Sequence, residues 1–223
     1  VRAGLLHTVP ALAEVFQRRL AELAPDLALT HVADPSLLAR AIASGVDEEV
    51  DARVVAHVRH LVATGAQAVM VTCSSLGEAA ERAARAVEVP VLRVDEAMAE
   101  RAVEVAARGG GRVLVLATLA STLGPTERLL LRQAAGRPGV TVGSELVAGA
   151  AAARAVGDLA EHDRLVRAAV EAAAGRADAV VLAQASMADA VQSAPSGAAV
   201  LGSVDTGAER LVATVTGVLS GKC

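Results

Sequence analysis

The stretch GAQAVMVTCSSLGEAA, Gly65 to Ala80, decides how this chain is read. A helix-stop glycine leads into a short apolar run, Ala68 to Val71, and the run ends at Thr72, Cys73, Ser74 and Ser75. An alanine-rich window of helical character follows. This is the pattern of a buried strand that hands a small polar loop to a helix start. The pattern returns at RADAVVLAQASMADAV, Arg176 to Val191, where Gln184 aligns with Cys73.

Two more pairs of segments match in the same way. AGLLHTVPALAEVF aligns with VLVLATLASTLGPTERLL, setting Thr8 against Thr118, and VPVLRVDEAMAER aligns with GAAVLGSVDTGAER, setting Asp95 against Asp205. The three offsets are 110, 111 and 110 residues, which marks a chain that is duplicated once. The period is too long for a solenoid unit. Strands are expected near RAGLL, LALTHV, AVMVT, VPVLRV, RVLVLA, VTVGSE, AVVLA and AAVLG, alternating with helical windows. Such alternation specifies parallel sheets covered by helices. The expected fold class is therefore α/β, in two similar lobes related by a pseudo-twofold. Residues 1–95 with about 206–223 would form the first lobe and residues 96–205 the second. Ligands of open α/β sheets sit beyond the carboxyl ends of the strands. Thr8, Cys73, Thr118 and Gln184 all hold that position and are expected to line one inter-lobe cleft.

Composition narrows the function. Of 223 residues, 53% are hydrophobic, enough for a large core, and no apolar run reaches the ~18 residues of a membrane span. Lys and Arg total 21 against 25 Asp and Glu, with no basic cluster suited to a phosphate backbone. A single Phe and no Trp or Tyr leave no platform for stacking bases. The expected partner is a small molecule, not nucleic acid or membrane. Two cysteines are too few for a disulfide framework, Cys223 being expected to fray at the terminus. The first residues lack a signal-peptide layout, so a cytoplasmic location is expected.

Cys73 stands between a strand and a helix start, where unpaired N–H groups and the helix dipole favour a thiolate. Against this stands its reading as a small buried hydrophobe. Ser74 and Ser75 suit either a helix cap or a carboxylate seat. Thr118, Ser121, Thr122 and Thr126 make a hydroxyl-rich loop, with Pro125 placed in the first turn of the helix that follows. Ordinary capping is its alternative role. His7 ends the first strand and suits a proton shuttle or a hydrogen-bonded structural histidine. His57 and His60 read as helix surface, and His162 as a solvated helix start. Gly109 to Gly111 precede a strand and read as a helix stop, whereas a phosphate loop follows one. No His, Cys or carboxylate spacing has the form of a metal site, and no cofactor motif is present.

The duplicated layout, with VTCSSLGEA, TLASTLGPT and VPVLRVDEAM, resembles the aspartate/glutamate/hydantoin racemase superfamily over nearly the whole chain. The resemblance implies a homodimeric, cofactor-independent enzyme in which two cysteines, one per lobe, flank the α-carbon of a small carboxylate. One removes a proton and the other delivers one. It makes Cys73 the first-lobe cysteine and Ser74 and Ser75 the carboxylate-holding pair. Thr118, Ser121 and Thr122 become the second-lobe hydroxyl loop, and His7 and Thr8 the substrate-facing end of the first strand. The second cysteine would fall in LAQASM, where Gln184 stands instead, followed by Ala185 and Ser186 as further expected contacts.

Gln is neither acid nor base near neutral pH. A symmetric two-thiol racemase is therefore not encoded. Gln184 is expected to donate to an oxyanion in place of the thiol. His7 is the leading candidate for a second proton carrier, with Ser186 a poorer one. The expected activity is an isomerase using Cys73 at the carbon next to a carboxylate or carbonyl. The alternatives are a single-cysteine decarboxylase of a malonate-like acid, similar to arylmalonate decarboxylases but with the thiol in the other lobe, nucleophilic use of Cys73 as in maleate isomerases, or a non-catalytic carboxylate binder.

Overall fold

The apolar runs form eight strands among the described residues of the computed structural model, which are 1–191 and 197–220, with side chains to residue 217. Cys223 lies outside them. Strands β1 (Arg2–His7), β2 (Ala28–Ala33), β3 (Ala68–Val71) and β4 (Val91–Arg93) form one parallel sheet in the order β2-β1-β3-β4. Strands β5 (Arg112–Ala117), β6 (Thr141–Leu146), β7 (Ala179–Leu182) and β8 (Ala199–Gly202) form another in the order β6-β5-β7-β8. The two orders are one topology used twice. β3 and β7 are buried along their whole length, while β2 and β6 lie at sheet edges and are partly exposed. Burial on both faces explains why the inner strands read as unbroken apolar runs instead of alternating.

The chain divides into two compact units, Val1–Val94 with Val204–Cys223, and Asp95–Ser203. The first contains α1 (Leu12–Leu23), α2 (Pro35–Ser44), α3 (Glu48–Ala63) and α4 (Gly77–Ala84). The second contains α5 (Glu96–Arg108), α6 (Ala120–Ala134), α7 (Ala150–Ala155) and α8 (Leu159–Ala174). The last helix, α9 (Ser203–Ser220), follows the second sheet but packs on the first. On one face of the first sheet, Val54, Val58 and Leu61 of α3 and Ala80 of α4 meet Leu6, Val69 and Val71. On its other face, Phe16 and Leu20 of α1 and Leu211 and Val215 of α9 meet Ala3, Leu5 and Met70. The second sheet is covered by α5 and α6 on one face and by α7 and α8 on the other.

Local chemistry sets the helix limits. The Asp34 carboxylate accepts from the Ser36 N–H to start α2 with Pro35 at its first position, and Asp47 accepts from the Val50 N–H to start α3. Gly111, with φ +82°, turns the chain from α5 into β5, and a Cβ there would overlap the Gly139 carbonyl. None of the described helices is long and apolar enough to cross a membrane.

Two local expectations are corrected. Pro125 is not in a first turn: α6 begins at Ala120, so the Ser-Thr segment is itself helical and Pro125 lies inside it, unable to donate to the Ser121 carbonyl. His162 is not solvated. Asp158 caps α8 through the Glu161 N–H, and this phase turns His162, Val166, Val170 and Ala173 to the core.

Candidate active site

Strand register determines which residues emerge together. In the first unit Leu6 lies opposite Val71 and His7 opposite Ala33, so residue 8, residues 72 and 73, and residue 34 leave the sheet at one edge. In the second, Leu116 lies opposite Leu182 and Ala117 opposite Leu146, which brings out residues 118 and 184 side by side.

Cys73 is partly exposed and has extended backbone, φ −125° and ψ 112°, as the chain leaves β3. Residues Ser74–Leu76 then make a single 3-10 turn before α4. Burial pushes the Cys73 thiol up. Opposing this, its sulfur takes hydrogen bonds from the Thr8 hydroxyl, the Leu76 and Ser75 N–H groups and the Ser75 hydroxyl. The donors expected around a thiolate are therefore present, but desolvation outweighs them, and the resting group holds its proton. Ser74 and Ser75 are buried within the turn, and the residue that precedes α4 is Leu76, which gives no side-chain cap. Ser75 serves the sulfur instead.

His7 ends β1. It is fully buried, with Nδ1 at 2.9 Å from the Thr72 hydroxyl and Nε2 at 2.8 Å from His31 Nδ1. His31 Nε2 in turn meets Gln17 Oε1 at 3.2 Å. Burial, and then the neighbouring His31, lower the His7 pKa to about 4. Both ring nitrogens are engaged and the ring is neutral at pH 7.

One cluster at this edge was missed. Burial raises the Asp34 carboxyl, but bonds from Ser36, His57 and Arg53 outweigh that and bring it to about 2. Arg53 Nη2 lies at 2.6 Å and His57 Nε2 at 2.8 Å from Asp34 Oδ2. Asp-Pro-Ser at residues 34–36 carries the cap signal, yet nothing in a single sequence ties it to a histidine 23 residues away. A second unforeseen feature is Arg93, buried at the end of β4 and paired with Glu81, its guanidinium lying against Gly77 where a Cβ would overlap it.

In the second unit Gln184 leaves β7 with nearly the backbone of Cys73, φ −127° and ψ 136°, before the 3-10 segment Ala185–Ala190. Its Oε1 accepts from the Thr118 N–H at 2.6 Å, the Thr118 hydroxyl at 3.0 Å and the Leu119 N–H at 3.2 Å. Two backbone donors fix which side-chain atom is oxygen. The oxygen is thus an acceptor, and only the amide nitrogen remains to donate as expected of this residue. Thr122 is buried on α6, and the Ser121 hydroxyl is enclosed with no partner among the described residues. Ala185 and Ser186 are half-buried in the turn after Gln184. The structure therefore groups Thr8, Cys73 and Ser75 in one unit, and Thr118 with Gln184 in the other.

A model of the Asp/Glu/hydantoin racemase family matches residues 7–211. Among solved structures, the glutamate racemase isoform RacE1 from Bacillus anthracis is similar with TM-score 0.75 and 18% identity, over 99% of this chain and 82% of that one. Allantoin racemase from Klebsiella pneumoniae gives 0.69 and 17%, over 97% and 88%. An arylmalonate decarboxylase gives 0.64 and 21%, over 97% and 93%. No curated protein matches the chain.

Proposed function

The chain belongs to the Asp/Glu/hydantoin racemase family, and from that premise we propose that it is a cofactor-independent isomerase that moves a proton at the carbon beside a carboxylate or carbonyl of a small substrate, with Cys73 as the proton carrier. The observation that carries this reading is the set of four donors on the sulfur of a partly exposed cysteine at a strand end. Donors arranged this way stabilise a thiolate formed during turnover even though burial keeps the resting group protonated. Ser74, Ser75 and Thr8 surround the position where a substrate carboxylate would sit. Removing the α-proton builds negative charge on the adjacent oxygen, and preorganised N–H and O–H groups lower the cost of that charge.

A second reading is favoured by two observations together. The resting thiol is protonated, and Gln184 supplies no second acid or base. A single thiol suits decarboxylation of a malonate-like acid. The bond to one carboxyl group breaks, its electron pair passes into an enediolate, carbon dioxide leaves, and the Cys73 proton goes to carbon. Solvent then reprotonates the thiolate.

The test is incubation of amino acids, hydantoins and substituted malonates in deuterated water with the wild type and with Cys73→Ala. Cys73-dependent uptake of deuterium without loss of carbon dioxide supports the isomerase, and uptake with carbon dioxide release supports the decarboxylase. Rates equal in the two proteins for every compound would remove the enzyme reading and leave a carboxylate binder.

A further inference from the structure

Four side chains from four parts of the first unit form one hydrogen-bonded chain behind the ends of its sheet. His7 Nδ1 lies 2.9 Å from the Thr72 hydroxyl, His7 Nε2 lies 2.8 Å from His31 Nδ1, and His31 Nε2 lies 3.2 Å from Gln17 Oε1. The two rings are tilted from one another by only 15°. His7 also meets Phe16, which packs with Leu5 and Met70, so the chain lies on the face covered by α1 and α9. Cys73 packs with Leu6, Val69 and Val71 on the opposite face. Successive residues of a strand alternate between faces. The ends of β1 and β3 are therefore tied twice, just beyond the bond from the Thr72 N–H to the Leu6 carbonyl. His7 and Thr72 tie them on one face, and Thr8 and Cys73 on the other.

These contacts fix how many protons the chain can hold. Gln17 Oε1 only accepts, so His31 Nε2 carries a hydrogen. In the neutral chain the Thr72 hydroxyl donates to His7 Nδ1, and His7 Nε2–H donates to His31 Nδ1. One added proton at His7 Nδ1 turns the Thr72 hydroxyl to the Leu6 carbonyl, 3.1 Å away, and every other bond stands. That proton belongs to both rings, because shifting the hydrogen between them across 2.8 Å moves the charge from His7 to His31. A second proton sets N–H against N–H at that contact, and the chain must open there. Of the other ionisable groups on the surrounding elements, Asp34 is held by Arg53 and His57, Arg19 of α1 pairs with Asp205 of α9, and Arg2 of β1 bonds to Thr30. None of these, nor Glu14 or Arg18 of α1, bonds to either ring.

We propose that His7 and His31 are positioning residues for Cys73 and form an acid-sensitive latch: with at most one proton on the pair, the chain from Gln17 to Thr72 holds the ends of β1, β2 and β3 together and sets the Thr8 hydroxyl on the sulfur, and a second proton opens it. The part this plays in turnover rests on the proposed function, which makes Cys73 the proton carrier. The latch itself is read on the thiol and on the rings.

The test uses the full chain with Cys223→Ser, so that only Cys73 reacts. The thiol pKa is taken from the pH dependence of iodoacetamide alkylation. His7→Leu and Thr72→Val break the chain at different links, and each is expected to raise that pKa by about one unit as the Thr8 donor loses its alignment. His7→Asn places an amide N–H where Nδ1 stands, keeps the bond to Thr72, and should hold the thiol pKa within about 0.3 unit of wild type. In wild type, nitrogen-15 NMR of the two rings between pH 8 and 3.5 should show both rings responding to each of two separate steps. A lower melting temperature with an unmoved thiol pKa in both His7→Leu and Thr72→Val would mean that the chain is only structural, and overturns the proposal. Rings that titrate independently, each in one step, overturn it as well. If no compound shows Cys73-dependent exchange, the proposed function fails, while the latch stands on the thiol pKa and the ring titration.

Discussion

The two proposed reactions would use Cys73 in different protonation states. Burial pushes its thiol up, so the protonated form dominates at neutral pH. As a base, Cys73 must first lose that proton, and kcat/KM is expected to climb about tenfold per pH unit up to the thiol pKa. As an acid it is ready at rest, and kcat/KM is expected to stay level near neutrality and fall above the thiol pKa. A rate profile from pH 6 to 11 on an active substrate distinguishes these slopes. His7 gives a stability prediction. Its folded pKa is lowered from 6.5 to about 4, so the unfolded chain binds more protons between those values. The stability held by neutral His7 is complete above pH 6.5 and is lost as the pH falls towards 4, by about 3 kcal/mol. Urea unfolding at pH 7.5 and 4.5 should show that difference shrinking in His7→Gln. Burial lowers the His31 pKa as well, so the comparison with wild type is the measure. At this scale the sequence was legible for position and not for partners. A strand end followed by a polar loop marks Cys73 and Gln184 locally, whereas the rings of His7 and His31 meet only because β1 pairs with β2.

Elements hold those side chains in place, and the turn after β3 is held from below. The Arg93 guanidinium, nearly buried and paired with Glu81, lies against Gly77, whose N–H bonds to the Ser74 carbonyl. The same turn presents the Ser75 and Leu76 N–H groups to the sulfur. Gly77→Ala forces the buried guanidinium aside and disturbs its pairing with the half-exposed Glu81, so a cost of roughly 1–3 kcal/mol is expected in urea unfolding. Arg93→Met in the Gly77→Ala background frees the space, and the two changes should couple by more than about 1 kcal/mol in a double-mutant cycle. Additive costs would mean that the two residues do not share this contact. Element identity was plain in the sequence because β-branched runs and alanine-rich windows differ in period. Phase and start were harder to read. The entry of α6 was hidden by Pro125, which usually marks a first turn, and the inward face of α8 became visible only once Asp158 was recognised as its cap.

For the whole molecule, duplication and connectivity give unequal halves. The repeat was legible because three aligned segments shared an offset, and the same reading set about 206–223 with the first lobe, but the sequence does not say which face of a sheet each helix covers. The second unit is continuous in sequence, and both of its core clusters are drawn from residues between Met98 and Leu201. The first unit is not. One face of its sheet is completed by Ala208, Leu211 and Val215 of α9, which pack on Ala3, Leu5, Phe16 and Met70. Without α9 these large side chains lose their cover, and each fully exposed one costs about 1.5–3 kcal/mol, comparable in sum to the whole stability of a small domain. A fragment of residues 95–203 is therefore expected to melt cooperatively by itself. Residues 1–94 alone should show no cooperative transition and should bind a hydrophobic dye. Joining residues 204–223 to the amino terminus of that fragment through a flexible linker should restore the transition. If residues 1–94 melt cooperatively without this helix, α9 is dispensable to the first core and the division of labour argued from its packing is wrong.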